Sequence, residues 1–154
     1  MQVKTKWFGT LEINEDKIIT FQKGLIGLDE YKKYTIVYNT ENSEAATIMW
    51  LQSIEDENFA LPVMNPELLM IDYDPIVEDA LLDSLGDVKT AELIVLVTLT
   101  VPSDITKITS NLKAPIIINA DNLQACQLIA DNEKYIVKYP IYDIIKENTE
   151  KGGE

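Results

Sequence analysis

The sequence predicts a mainly β fold: a compact antiparallel barrel or sandwich-like single domain with one or two short helices. Three observations carry this. Short strand-like runs recur with turn signals every eight to twelve residues. No alternation of strand and helix patterns supports a parallel sheet. At 154 residues with 46% apolar content, the chain suffices for one core and leaves little room for a second. The domain is expected over 1–145, with 146–154 as a frayed polar tail.

Val3, Thr5 and Trp7 alternate with Gln2, Lys4 and Lys6, the period of a half-buried strand. After Gly9, runs at 11–13 and 18–21 flank the polar Asn14-Glu15-Asp16-Lys17 and predict a hairpin. Gly24 and Gly27 punctuate a loop, and 28–33 suits one helical turn. Strands are expected at 34–38 and 46–52, joined by a polar connector at 39–44. Another is expected at 59–64, where Pro62 predicts a sheet edge or bulge because it cannot donate to a ladder.

One helix has punctuation at both ends. Asp74 suits its N-cap, Pro75 its first position, and Gly86 its left-handed stop. Ile76, Val77, Ala80, Leu81, Leu82 and Leu85 form its apolar stripe. The strongest strand signal, 91–101, comes next and is stopped by Pro102-Ser103-Asp104. Further extended runs lie at 115–119 and 123–130 around the turn Ala120-Asp121-Asn122. Residues 135–139 read as a strand or extended tail, and 141–145 as a short helix.

Composition removes much chemistry. The 13 cations are all lysine, with neither Arg nor His. There is thus no imidazole acid/base, no His-activated nucleophile and no His-ligated metal. Without Arg there is no bidentate phosphate clamp, and a net charge of −13 opposes direct nucleic-acid binding. The single Cys126 cannot close an internal disulfide, Met1-Gln2-Val3-Lys4 reads as a mature start with no signal peptide expected, and the longest apolar run is only 93–97. The expectation is a cytoplasmic protein with no membrane association.

The acids are unevenly placed. Residues 34–88 hold 12 carboxylates and no lysine, whereas the rest holds 14 acids against 13 lysines. Nearly all the net charge therefore sits on one block, expected to build a negative face that steers a basic partner. Solubility alone would explain acidity, but not its concentration.

Individual site candidates are weaker. Asp72-Tyr73-Asp74 begins like a calcium loop, but Pro75 comes next and the required Gly and distal Glu are misplaced. Glu55-Asp56-Glu57 could hold a divalent ion or act as an acid/base pair, but a solvated turn between two strands explains it better. Two carboxylates could also serve a glycosidase, but Trp7 and Trp50 belong by pattern in or beside the core. Cys126 lies in an apolar segment with no cation nearby in sequence and reads as a structural thiol. Gly24-Leu25-Ile26-Gly27 is too short and apolar to cradle phosphate. These residues imply neither a cofactor nor a metal. A binding protein is favoured over a carboxylate hydrolase or a generic acidic chaperone.

The motifs also resemble a known family. Phe21-Gln22-Lys23-Gly24-Leu25-Ile26-Gly27-Leu28-Asp29-Glu30 looks like its FPxGLPGFE stretch. Trp50-Leu51-Gln52-Ser53 with Glu55-Asp56, then Phe59-Ala60-Leu61-Pro62-Val63 and Asn65-Pro66, is similar to its WLQSxED…AFVV segment. Asp72-Tyr73-Asp74 matches its xDY element. Thr100-Val101-Pro102 and Thr109-Ser110-Asn111-Leu112-Lys113-Ala114-Pro115-Ile116-Ile117-Ile118-Asn119 resemble its VTVP…TANLxAPIVIN block. The ordered set identifies the chain as resembling the bacterial flagellar assembly factor FliW family. It departs from the pattern where Gln22 and Ile26 replace prolines, and where Lys138-Tyr139-Pro140 stands for Arg-His-Pro.

The resemblance implies a compact, mainly antiparallel β fold and a non-enzymatic regulator. Such a protein binds the mRNA-binding repressor CsrA, relieving repression of flagellin translation, and binds flagellin as the competing partner. It is expected to be a monomer alone and to act beside the RNA-binding surface of CsrA. Glu55, Asp56, Glu57, Glu67, Asp72 and Asp74 are expected to supply the field. Leu51, Asn65, Pro66 and Tyr73 are expected to supply contacts beside it.

Overall fold

A computed structural model describes residues 1–38, 48–86 and 92–152. The chain forms β1 (Gln2–Thr5), β2 (Gly9–Glu12), β3 (Ile19–Phe21), β4 (Lys33–Tyr38), β5 (Ile48–Ser53) and β6 (Ala60–Met64). It continues through β7 (Leu93–Thr100), β8 (Thr109–Ser110), β9 (Ile116–Asn119), β10 (Gln124–Gln127) and β11 (Tyr139–Pro140) to α1 (Tyr142–Gly152). The expected connector at 39–44 and the outer ends of the runs at 46–52 and 91–101 lie outside the described residues.

Strands β7-β6-β5-β4-β3-β10-β9 are hydrogen-bonded in that order, and β9 returns to β7 and closes a seven-stranded barrel. The eight residues of β7 make this possible. Leu93 to Leu96 pair with β9, after which Leu99 and Thr100 pair with β8 along the same edge. The pairing is antiparallel except between β3 and β10, where Thr20 and Phe21 run parallel to Gln124 and Ala125. The sequence patterns do not predict a parallel neighbour. It arises because a short β3 closes the barrel against a strand about a hundred residues downstream, which no local pattern announces.

Strand parity explains why the apolar runs lack clean alternation. Successive side chains point to opposite faces, and here both faces are covered. Ile116 and Ile118 enter the barrel with Phe21, Tyr34, Leu51 and Val63. Ile117 points outward under Leu85, beside Cys126 and Leu128. Met64 and Val97 point outward into a second cluster with Leu69, Tyr73, Leu112, Tyr135 and Ile141. Inside the barrel, Phe21 meets Tyr34 edge to face at 5.3 Å.

Several expectations are corrected. The hairpin across Asn14 to Lys17 does not form: β2 pairs only with β1, and a 3-10 turn at Glu15–Lys17 separates that ribbon from β3. Trp7 is not in the core but 55% exposed at the ribbon's tip, while Phe8 takes the inward place against Trp50 at 5.8 Å. No helical turn forms at 28–33: Leu28 N–H closes a turn on Leu25 O just before it, and β4 begins at Lys33. Of the run at 135–139, only Tyr139 enters a strand, two residues long. The helix expected at 141–145 is α1, which continues to Gly152.

Pro62 lies on a strand with neighbours on both sides, not at an outer edge of the sheet. Ser53 N donates to Phe59 O, and alternation of the antiparallel ladder then makes Trp50–Pro62 a non-hydrogen-bonded pair. The missing N–H thus faces β7, whose register with β6 covers only Val63 and Met64.

The helix expected from Asp74 to Gly86 is also corrected. Only Asp79–Leu85 coils, as a 3-10 helix, and Asp74 caps nothing there; Glu78 occupies the N-cap without a side-chain bond. The backbone needed for the first turn is used elsewhere. Asp74 N–H donates to Tyr135 Oη (2.7 Å), Ile76 N–H donates to Asn132 Oδ1 (2.6 Å), Asn132 Nδ2 donates to Asp74 O (3.1 Å), and Asp131 N–H donates to Ile76 O (2.7 Å). The Asp74 and Ile76 carbonyls are thereby diverted from the bonds an α-helical first turn would make, and the amides, orphaned at any helix start, find partners on the same distant segment. Gly86 does stop the coil with φ of 78°.

Candidate functional site

The barrel divides the acidic block. Glu55, Asp56 and Glu57 lie in the turn after β5, whereas Glu67, Asp72 and Asp74 come after β6 at its other end. The five residues of β6 alone span about 13 Å at the usual rise per residue. That exceeds the Debye length of about 8 Å at physiological salt, so the two groups act as separate fields.

At the first end the carboxylates mainly hold the fold. Glu55 Oε1 accepts from the amides of Lys32 (2.6 Å) and Lys33 (2.8 Å). Asp56 Oδ2 accepts from Tyr31 Oη (2.7 Å), and its Oδ1 from Asn58 N–H (2.9 Å). The Tyr31 hydrogen bond, then that of Asn58, holds the Asp56 carboxyl below its ordinary 3.8, and the same bond lifts the Tyr31 phenol above 10.0. Glu57 is exposed, and its carbonyl accepts Lys6 N–H (2.9 Å), tying the β1–β2 tip to this corner. Below it, buried Gln52 donates through Nε2 to the carbonyls of Ser53 and Phe59.

The second end gathers more of the expected site. Asn65 Oδ1 accepts Glu67 N–H (3.0 Å) and caps the 3-10 turn Pro66–Leu68, where Pro66 sits at the start. Asn65, Pro66, Glu67 and Tyr73 line one cleft of about 350 Å³ together with Met49, Pro75 and the face of β7 from Leu93 to Leu96. Tyr73 donates its hydroxyl to Leu112 O (2.8 Å) and stacks on Tyr135 at 4.6 Å; burial raises its phenol pKa. Asp72 and Asp74 are exposed on the strap that continues from this cleft.

Leu51 does not join them. It is fully buried inside the barrel with Ile19 and Val63, so it serves the core and offers no contact surface. Tyr31, Asn132 and Tyr135, which position the acids and the strap, carried no local signal because each acts on a segment more than twenty residues away. Cys126 is buried, and desolvation pushes its thiol up to about 11 even though Lys23 and Ser84 pull it down. It stays a thiol at neutral pH, as expected of a structural cysteine. Among the described residues no three His, Cys, Asp or Glu side chains are grouped to hold a metal, and no helix is long and apolar enough to cross a membrane.

A barrel with this cleft and this order of motifs can be set against known proteins. The profile of the FliW protein family matches residues 2–141. The chain belongs to the FliW family. A flagellar assembly factor FliW from Lachnospira eligens is 56% identical over 147 residues, covering 95% of this chain and 97% of that protein. One from Lachnoclostridium phytofermentans is 45% identical over 151 residues, covering 98% and 97%. A crystal structure of the flagellar assembly factor FliW superposes with a TM-score of 0.80 at 27% identity, covering 92% of this chain and 96% of that one. Family membership therefore assigns the chain a place among flagellar assembly factors.

Proposed function

We propose that this protein is a non-enzymatic cytoplasmic regulator that binds the translational repressor CsrA and antagonises it, with flagellin as the competing partner. The observation that carries the reading is the cleft of Asn65, Pro66, Glu67 and Tyr73, continued by Asp72 and Asp74, on a chain of the FliW family. An RNA-binding repressor must present cations, and an acidic cleft rim offers them a complementary surface. Once docked, the carboxylates repel approaching phosphates over the adjacent surface, within about a Debye length. Inhibition then needs no occupation of the RNA site itself. The corner of Glu55, Asp56 and Glu57, beyond a Debye length from the cleft, contributes less to this field.

A competition titration tests this. Labelled CsrA from the same organism is bound by this protein at near-physiological salt, and flagellin is then added. The expected result is binding that flagellin reverses. Absence of CsrA binding with both proteins folded refutes the reading.

A further inference from the structure

The strap from Met70 to Ile76 carries two side chains that its own packing does not explain. Ile71 is 93% exposed and Ile76 58% exposed, although the second core cluster lies directly beneath with Leu69 and Tyr73 buried in it. Their exposure is built in. Tyr73 N–H donates to Met70 O (3.0 Å), the Tyr73 ring is held between Leu112 O and Tyr135, and both backbone groups of Ile76 are bonded to the 131–132 segment. The strap cannot turn these side chains inward without breaking those bonds. Isolated exposed apolar residues are ordinary on protein surfaces. Two β-branched ones on one fixed strap, with exposed Asp72 and Asp74 between them, have instead the composition of an interface: apolar anchors with charge beside them. Their stiff side chains also lose little rotamer freedom on being covered.

We propose that Ile71 and Ile76 are the apolar anchors by which this strap seats a basic protein surface, one offering an apolar socket edged by lysine or arginine. Charge selects the occupant. Asp72 and Asp74 lie between the anchors, Glu67 lies on the neighbouring cleft, and a second copy of a chain with net charge −13 would be repelled. Of the two partners in the functional reading, on which this inference rests, the RNA-binding repressor is the one whose task demands cations. The acids steer and orient it, and the isoleucines hold it.

The test is equilibrium binding of purified CsrA, and separately of flagellin, to the wild type, Ile71→Ala, Ile76→Ala and the double variant, each at two salt concentrations. Because both side chains are exposed, thermal unfolding should be nearly unchanged. Ile71→Ala is expected to weaken CsrA binding by about tenfold or more through faster dissociation, with the salt dependence retained. Wild-type binding of CsrA with unchanged affinity in all three variants overturns the anchors while leaving the functional reading intact. No CsrA binding by the wild type removes that reading and this occupant together. Loss of flagellin binding alone, or of wild-type self-association, assigns the strap to flagellin or to a second copy and overturns the proposal.

Discussion

Asp56 and Tyr31 show how one hydrogen bond between residues 25 positions apart fixes a turn and a titration together. The Asp56 carboxyl is held below its unfolded value chiefly by the Tyr31 hydroxyl. A depressed carboxylate contributes stability that is present above the unfolded pKa and lost as pH falls through the folded one. The Tyr31 phenol is raised by the same contact, so its share is lost as pH rises through its folded value, above 10.0. Tyr31→Phe is therefore expected to be less stable than wild type at pH 7, with the gap narrowing below the carboxylate range. Urea unfolding at pH 7 and pH 2 checks this, and an equal gap at both would show that the hydroxyl acts independently of the ionised Asp56 carboxylate.

The strap and the helix it failed to become belong to the scale of the element. A cap residue, a first-turn proline, an apolar stripe and a terminal glycine all favoured an α-helix from Asp74. Local preference of this kind amounts to only about 1 kcal/mol for a cap. Four lateral bonds tie this stretch to Asp131, Asn132 and Tyr135, and two of them take the Asp74 and Ile76 carbonyls that the first α-helical turn would use. Asn132→Ala removes two of them and is expected to cost about 1–3 kcal/mol. It should also accelerate hydrogen exchange at the Ile76 amide well before the barrel amides respond. Unchanged protection at Ile76 would mean that the Asp131 and Tyr135 bonds alone define the strap.

For the molecule as a whole, the barrel separates six carboxylates of one acidic block, Glu55, Asp56 and Glu57 from Glu67, Asp72 and Asp74, into two fields. If partner binding is centred on the cleft, neutralising Glu67, Asp72 and Asp74 together should flatten the salt dependence of CsrA affinity and slow association. Neutralising Glu55, Asp56 and Glu57 together should change the salt slope less, because they lie beyond a Debye length from the cleft. That second variant should instead lose stability, since Glu55 and Asp56 secure the 31–33 segment. Stopped-flow association rates at two ionic strengths, with denaturant midpoints for both variants, separate these outcomes. A larger kinetic effect from the Glu55 corner would move the docking surface to that end of the barrel.

By itself the sequence determined the mainly β class, the positions of most strands, the absence of imidazole chemistry and the concentration of charge. Each is local or compositional: alternation, turn residues and counts need no knowledge of distant partners. Ordered motifs also carried the family, because Trp50-Leu51-Gln52-Ser53 and the 109–119 block are runs of adjacent residues. Only the tertiary structure decided which residues of those motifs face solvent. It buried Leu51, joined Asn65, Pro66, Glu67 and Tyr73 at a cleft, and left Trp7, Ile71 and Ile76 exposed. It also closed the barrel through a parallel β3–β10 contact and replaced a well-punctuated helix with a bonded strap. These outcomes depend on contacts across tens of residues, where the free energy of a neighbour from elsewhere in the chain exceeds the preference written locally.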